Sequence, residues 1–252
     1  MESTDVRPAR FAIGDIHGCY DVLKSLVKAV SIPDDERIVL LGDYVDRGPD
    51  SKKVLDWVID RTQRGCCIPL RGNHDAMMHA ALTGRLSQKH WELSGGKEAI
   101  SSYLKGGGSS AKSKKLTQIV PREHQEFLES GLFPYWETEK HIFVHGGLIE
   151  NVPVDQQDDF VLYWERFDRL LPHCSGKTIV CGHTAQKSGV PNDRGFAVCI
   201  DTKVFPEGWL TCLNVETGQY WQANRKGRIR TDYLPSVQNK ETVNDGTADR
   251  RP

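Results

Sequence analysis

Short aliphatic runs alternate with amphipathic stretches through the N-terminal part of the chain. The runs predict buried strands over residues 11–14, 37–41 and 66–70. Between the first two, apolar side chains repeat at helical spacing over 21–30, and Asp50 provides an N-cap for a second helix that reaches about residue 64. Strand, helix and strand in this order are typical of right-handed βαβ units, so we expect a largely parallel central sheet.

The rest of the chain contains a polar excursion followed by more strands. Residues 82–125 are polar and mostly helical, and a glycine-serine run at 106–110 predicts a mobile loop within them. We expect this loop to border a functional site and residues 84–125 to form part of the outer wall of that site. Strand patterns then resume over 141–144, 177–181, 196–200, 209–215 and 220–223, with a hairpin turn at 216–219. We expect one domain over 10–230, a disordered N-terminus at 1–9 and a polar, disordered tail at 231–252.

Composition and charge narrow the function only slightly. The 252 residues suffice for one substantial core, and a net charge of −1 gives no sign of a nucleic-acid polymer as partner. The apolar runs are too short to span a membrane, and residues 1–10 lack an apolar secretory segment. Seven cysteines, an odd number without a CxxC pair, predict reduced structural thiols and a cytoplasmic protein.

Five polar motifs follow the ends of apolar runs. They are Gly14-Asp15-Ile16-His17-Gly18, Gly42-Asp43-Tyr44-Val45-Asp46-Arg47-Gly48, Gly72-Asn73-His74-Asp75, His145-Gly146-Gly147 and Gly182-His183-Thr184. Open α/β sheets place their ligands at the carboxyl ends of strands, so we expect these motifs to converge. Together they offer the carboxylates, imidazoles and amide oxygen that bind a pair of divalent metal ions.

The residue types suggest how two ions would be held. Asp15 and His17 share one turn and can reach one ion, while the Asp43 carboxylate can bridge both. The second ion would be completed by Asn73, His145 and His183. Mixed oxygen and nitrogen ligation suits Mn²⁺ above all, with Fe or Zn²⁺ as alternatives, and the absence of thiolates argues against a structural zinc site.

Each motif alone also has a structural explanation. A carboxylate can lie solvated in a turn, an Asn-His pair can cap a helix, and a histidine can be buried in a core. Five such motifs at strand ends favour catalysis, and Arg47 adds a planar cation that matches phosphate oxygens. A metal-activated water would then attack a phosphate ester without a covalent enzyme intermediate.

The five motifs resemble those of the phosphoprotein phosphatase family of metallophosphoesterases, which read GDxHG, GDxVDRG, GNH(E/D), HGG or HAG, and GH(T/S). The segments 91–103 and 162–166 resemble further elements of bacterial members, although Asp75 stands where most eukaryotic members carry glutamate and their SAPNYC-like C-terminal element is missing. The resemblance implies the calcineurin-like α/β fold. In that fold, central mixed β-sheets are sandwiched by helices and the dinuclear metal site lies at the C-terminal ends of strands.

The resemblance also implies roles for individual residues. One metal would be held by Asp15, His17 and Asp43, and the other by Asp43, Asn73, His145 and His183. His74 would be the general acid, oriented by Asp46, and the phosphate would be bound by Arg47, Asn73, His74 and Arg166. The alternative for Arg166 is a surface ion pair with Glu165 or Asp168.

The motifs do not determine the substrate. The first hypothesis is a bacterial-type protein phosphatase that cleaves phosphoserine or phosphothreonine, with phosphotyrosine as a further option, by attack of a metal-bridging hydroxide. The alternative is a symmetrical bis(5'-nucleosyl)-tetraphosphatase or a related small-molecule pyrophosphohydrolase. A phosphoprotein-binding pseudoenzyme is disfavoured because no predicted ligand is missing. The partner is therefore a phosphoprotein or a phosphorylated small molecule, and the sequence does not predict the oligomeric state.

Overall fold

The computed structural model describes residues 9–33, 36–105 and 115–237. The expected disorder at residues 1–8 and beyond 237, and the expected mobile loop at 106–110, lie outside the described residues. The last strand extends to Tyr233, so ordered structure continues past residue 230, where the sequence places the start of the tail.

Up to residue 70, strands and helices alternate as the apolar pattern predicts, and further helices and strands follow. The strands are β1 Phe11–Ile13, β2 Ile38–Leu40, β3 Cys67–Pro69, β4 Tyr135–Glu137, β5 His141–Val144, β6 Thr178–Cys181, β7 Asn192–Asp193, β8 Ala197–Cys199, β9 Trp209–Asn214, β10 Gln219–Asn224 and β11 Ile229–Tyr233. The α-helices are α1 Tyr20–Val30, α2 Ser51–Gln63, α3 Asn73–Leu82, α4 Gln88–Trp91, α5 Lys97–Leu104, α6 Leu116–Ile119, α7 Arg122–Ser130 and α8 Asp159–Trp164. A π-helical turn, Glu92–Gly96, joins α4 to α5.

The strands form two mixed sheets. The first has the order β11-β10-β9-β1-β2-β3, in which β1, β2 and β3 are parallel and the C-terminal strands β9, β10 and β11 pair antiparallel. The second has the order β4-β5-β6-β8-β7, with β5, β6 and β8 parallel between antiparallel edges. The expectation of a parallel sheet is thus right for the inner strands, while the C-terminal strands add an antiparallel half to the first sheet.

The two sheets pack face to face. Their shared core contains Val39 and Ile68 from the first sheet and Phe143, Val180 and Val198 from the second. Both faces of the inner strands are therefore buried, which explains why these strands read as continuous aliphatic runs. Helices α1 and α2 cover the outer face of the first sheet, and α8 covers that of the second, so each sheet lies between the other sheet and a helical layer.

Asp50 lies at the start of α2, but its carboxylate pairs with Lys53 and Lys105 and makes no side-chain cap hydrogen bond. All seven cysteines are free thiols. Over the described residues, none of the helices combines the length and apolar character that crossing a bilayer requires.

Candidate metal centre

The five motifs come together where the two sheets meet. The first three follow β1, β2 and β3 in one sheet, and the other two follow β5 and β6 in the second. Two hydrogen bonds join the groups: Nδ1 of His145 donates to the Leu41 carbonyl at 2.8 Å, and the His183 N–H donates to the Asp15 carboxylate at 3.2 Å. The convergence expected from strand ends is therefore present.

The backbone at this junction is strained. Five non-glycine residues have φ between 44° and 71°, in the left-handed region: His17, Asp43, Asp46, Arg47 and His183. Each such residue costs about 1–3 kcal/mol and persists only where the surrounding structure enforces it. The left-handed conformation directs the side chains of these turns toward one another, and the clustering of such residues marks a functional site.

Asp43 lies at the middle of the cluster. Its Oδ2 is 3.4 Å from Nε2 of His17, and its Oδ1 is 3.5 Å from Nε2 of His145. Two groups of potential ligand atoms, each within 4.8 Å of one another, share this carboxylate: one adds His17 and His74, and the other adds Asp15 and His145. The shared position suits the predicted bridging role. His17 and Asp15 are less close, with 4.0 Å between Nε2 and Oδ2.

The histidine tautomers leave lone pairs directed into the cluster. Nδ1 of His17 donates to the Val45 carbonyl at 2.9 Å, just as Nδ1 of His145 donates to the Leu41 carbonyl. The Nε2 atom of each ring therefore carries a lone pair that can bind a metal ion. Burial lowers the pKa of His17 to about 3, that of His183 to about 4, and also the pKa of His145. These rings are therefore neutral at physiological pH, as metal binding requires.

The polar contacts of Asn73 also call for a cation. Its amide Oδ1 lies 2.9 Å from Nε2 of His145 and 3.0 Å from Nδ1 of His183. Because His145 carries its proton on Nδ1, its Nε2 lone pair faces an oxygen that can only accept. An amide oxygen between two neutral imidazole nitrogens is a set of ligands that divalent cations accept, so the donor set fits a metal ion.

The buried carboxylates give the same indication. Burial, with Asp201 and Asp43 nearby, raises the pKa of Asp15 well above its usual range. Burial also raises the pKa of Asp201, which hydrogen-bonds to Asp15, to about 6. Despite burial, the surrounding imidazoles of His145, His74 and His17 lower the pKa of Asp43. Several acidic groups thus lie together away from water, an arrangement that divalent cations stabilise.

His74 belongs to one of the two ligand groups, and Arg47 lies beside it. Nδ1 of His74 donates to Oδ2 of Asp46 at 2.7 Å. Burial lowers the pKa of His74, but the carboxylates of Asp43 and Asp46 outweigh it, and the net shift is upward. The Arg47 guanidinium contacts Nε2 of His17 at 2.7 Å and Nε2 of His74 at 2.8 Å. A phosphate bound to Arg47 would therefore lie next to both the metal ligands and the candidate acid.

Asp75 is a site residue to which the sequence assigned no role. Its carboxylate is fully buried and accepts hydrogen bonds from the backbone N–H groups of Gly72, Asp43 and Tyr44 at 2.8–3.0 Å. Burial and the nearby Asp43 raise the pKa of Asp75 to about 8. It ties the turn after β2 to the turn after β3, and its position three residues after Gly72 at the start of α3 is a recognisable capping signal.

Arg166 is placed apart from the other predicted site residues. Its guanidinium pairs with Asp168 at 3.0 Å, and its backbone N–H donates to the Glu165 carboxylate. It lines a cavity of about 530 Å³ that also contains Thr184, the neighbour of His183. Within the described part of the chain, the structure thus shows the surface ion pair, and phosphate binding by Arg166 stays a prediction.

The fold and this donor set define the chain as a metallophosphoesterase. Residues 11–206 match the calcineurin-like phosphoesterase family, and the chain belongs to that family. Membership implies divalent metal ions, in agreement with the two ligand groups around Asp43.

Relatives carry names from two kinds of enzyme. The chain is 32% identical over 133 residues to the symmetrical bis(5'-nucleosyl)-tetraphosphatase of Erwinia tasmaniensis, a match that covers 50% of this chain and 46% of that protein. The chain thus spans about half the length of that relative. It is 26% identical to the asymmetrical bis(5'-nucleosyl)-tetraphosphatase PrpE of Anoxybacillus flavithermus over 225 residues, 80% of this chain and 88% of the relative.

Solved structures share the fold. A candidate diadenosine tetraphosphatase superposes with a TM-score of 0.59 at 22% identity, covering 92% of this chain and 96% of the other. The cold-active protein-tyrosine phosphatase of a Shewanella species gives a TM-score of 0.56 at 19% identity, covering 88% and 79%. At these identities the likeness concerns the fold alone, and it extends to proteins named for different substrates.

Proposed function

We propose that the chain hydrolyses dinucleoside tetraphosphates with the help of two divalent metal ions, of which Mn²⁺ suits the donor set best. The observation that carries the proposal is the pair of ligand groups that share Asp43, one of which includes His74, with the Arg47 guanidinium beside that group. In this proposal Asp15, His17 and Asp43 hold one ion, and Asp43, Asn73, His145 and His183 hold the other. When bound, the ions supply an activated water and neutralise phosphate charge.

The protein residues orient the phosphate and manage the leaving group. The guanidinium fork of Arg47 binds two phosphate oxygens, and Arg166 is a second candidate for this role if it leaves its ion pair with Asp168. In the structure, Nε2 of His74 accepts from Arg47, and this nitrogen is released once a phosphate binds to Arg47. It can then carry a proton and give it to the departing oxygen, while Asp46 holds the opposite nitrogen of the ring.

A nucleotide substrate is supported by the relatives and by an aromatic pair beside the site. Both relatives described above are named as tetraphosphatases, and one of them aligns over 80% of this chain. On α8, the rings of Phe160 and Trp164 stack at 6.2 Å with 16° between their planes, and the edge of Trp164 lies against His183. Phe160 is 69% exposed. Such a flat aromatic surface next to a phosphate site suits the stacking of a nucleobase.

A protein phosphatase is the second candidate, and the buried pair of His74 and Asp46 favours it. A nucleotide is a weakly basic leaving group that departs without much help, whereas a serine alkoxide needs a proton from a positioned acid. Because Asp43 and Asp46 raise the pKa of His74, its imidazolium persists to higher pH and suits the release of an alkoxide.

A matched substrate panel tests the proposal. The purified protein with added Mn²⁺ is offered diadenosine tetraphosphate, phosphoserine and phosphotyrosine peptides, and p-nitrophenyl phosphate, and kcat/KM is compared. The proposal expects the highest value for the dinucleotide, and chromatography of the products shows whether cleavage is symmetrical. A higher value for a phosphopeptide would replace the proposal by the phosphatase alternative. Failure on every substrate would contradict both.

A further inference from the structure

Trp91 is fully buried and forms hydrogen bonds with a residue of the site. Its indole Nε1 lies 3.0 Å from both carboxylate oxygens of Asp46, and Oδ2 of the same carboxylate accepts from His74 at 2.7 Å. An indole N–H is a donor without acceptor capacity, so Trp91 always donates and the Asp46 carboxylate always accepts. Asp46 is thus held from one side by Trp91 and from the other by His74.

The turn that follows Trp91 contacts the neighbouring residue of the same motif. The Gly95 carbonyl accepts from the Arg47 N–H at 3.1 Å. Gly96 packs against the Trp91 ring so closely that a Cβ at this position would overlap the indole. The segment 91–96, which we call the buttress turn, therefore holds the Asp46 side chain and the Arg47 backbone together.

Helix α5, which directly follows the buttress turn, contacts parts of the fold that contain no predicted metal ligand. In α5, the Ser102 hydroxyl accepts from the backbone N–H of Lys52 at 3.1 Å. The Tyr103 hydroxyl lies 2.8 Å from Nδ1 of His124 in α7. Since α2 and α7 belong to the main core, the position of Trp91 is set by the scaffold rather than by the metal ligands.

We propose that Trp91 is a positioning residue for leaving-group protonation. The terminal torsion of an aspartate side chain is soft, so a carboxylate held by His74 alone could rotate and let the imidazole turn away from the departing oxygen. The second hydrogen bond from the indole removes this freedom. The effect is confined to steps that need the proton of His74, so the inference depends on the acid role proposed above.

The test removes the indole donor and keeps the shape of the ring. Trp91 is replaced by 3-benzothienylalanine, in which sulfur stands in place of the N–H, and Trp91→Phe is made in parallel. With Mn²⁺ added, kcat/KM is measured for phenyl phosphate, whose leaving group is strongly basic, and for p-nitrophenyl phosphate, whose leaving group is not. We expect a loss of at least about tenfold on phenyl phosphate and little change on p-nitrophenyl phosphate.

Two comparisons make the result decisive. Ser101→Ala removes an exposed hydrogen bond to the Lys97 carbonyl in the same excursion without touching Asp46, and should change the two substrates equally. In an Asp46→Asn background, the Trp91 substitution should add no further preference between substrates. Equal losses on both substrates, or none, in the benzothienylalanine variant would overturn the inference.

His74→Asn separates this inference from the function on which it depends. If that variant shows no preference between the two leaving groups, the acid role of His74 is wrong. If it shows the preference and the Trp91 variants do not, the acid role stands and only the positioning role of Trp91 is wrong.

Discussion

At the scale of single residues, the site depends on which atom of each side chain faces its neighbours. His17 and His145 both give Nδ1–H to backbone carbonyls, and this choice turns their Nε2 atoms toward Asp43. His74 also donates from Nδ1, but its partner is the Asp46 carboxylate instead of a backbone carbonyl. The hydrogen-bond partner of Nδ1 therefore agrees with the roles proposed for the three rings: metal ligation for His17 and His145, and proton transfer for His74.

Arg47→Ala tests the phosphate role at this scale. All phosphoester substrates share the phosphate, so kcat/KM should fall by a similar factor for each, roughly 10–100-fold for a lost charge-assisted pair. Steady-state kinetics on phenyl phosphate and p-nitrophenyl phosphate check this. Arg64→Ala, which removes an exposed arginine paired with Asp60, is the control and should have no effect. A loss on only one of the two substrates would show that Arg47 acts on the leaving group instead.

At the scale of elements, α8 carries the aromatic pair that would recognise a nucleobase. Phe160→Ala removes the outer ring of the stack at an exposed position, so folding should not suffer. Stacking of one base contributes about 1–3 kcal/mol, so KM for diadenosine tetraphosphate should rise roughly 5–100-fold while p-nitrophenyl phosphate is unaffected. Leu171→Ala, at a residue 50% exposed, is the matched control. An unchanged KM for the dinucleotide would exclude base stacking on α8.

The contact between α2, α5 and α7 predicts a pH effect on stability. His124 bridges Tyr103 and Asp56 at 2.8 and 2.9 Å, and burial lowers its pKa although Asp56 opposes the shift. Because the folded state binds this proton less readily than the unfolded state does, stability is complete above the unfolded pKa of about 6.5 and falls as pH drops below it. The melting temperature should therefore decrease from pH 7.5 to pH 5.5.

His124→Gln isolates this contribution. The variant keeps a hydrogen-bonding side chain but cannot titrate, so its melting temperature should fall less between the two pH values than that of the original protein. Both proteins are measured with EDTA, so that the other histidines contribute equally to each. Identical decreases in the two proteins would show that His124 is not a source of the acid sensitivity.

At the scale of the whole molecule, the sequence predicts what local pattern determines. Aliphatic runs that end in glycine turns locate the inner strands. Because open α/β sheets place their ligands at the carboxyl ends of strands, the motifs also predict that Asp15 and His183 lie close together although they are far apart in the chain. The pairing of β9 with β1 was not predicted, because the partner of a strand is chosen by contacts that the local pattern does not contain. The hydrogen bond from Trp91 to Asp46 was not predicted for the same reason, since the two residues lie 45 positions apart in the chain.

Because the predicted ligands come from both sheets, metal binding should stabilise the whole fold. Asp15, Asp43 and Asn73 follow strands of the first sheet, while His145 and His183 follow strands of the second. A ligand that binds only the folded state adds about 2.7 kcal/mol at a hundred times its Kd. For a chain of this size that corresponds to a rise in melting temperature of roughly 5–10 °C.

Calorimetry with Mn²⁺ and with EDTA measures this rise, and two variants assign it to the site. Asp43→Asn weakens the carboxylate shared by both ligand groups, so most of the rise should disappear. His141→Asn changes a histidine of β5, the strand that leads to His145, and should keep the full rise. If Asp43→Asn retained the rise, Mn²⁺ would be binding elsewhere. If the original protein showed no rise, the two sheets would not be joined by metal at their common edge.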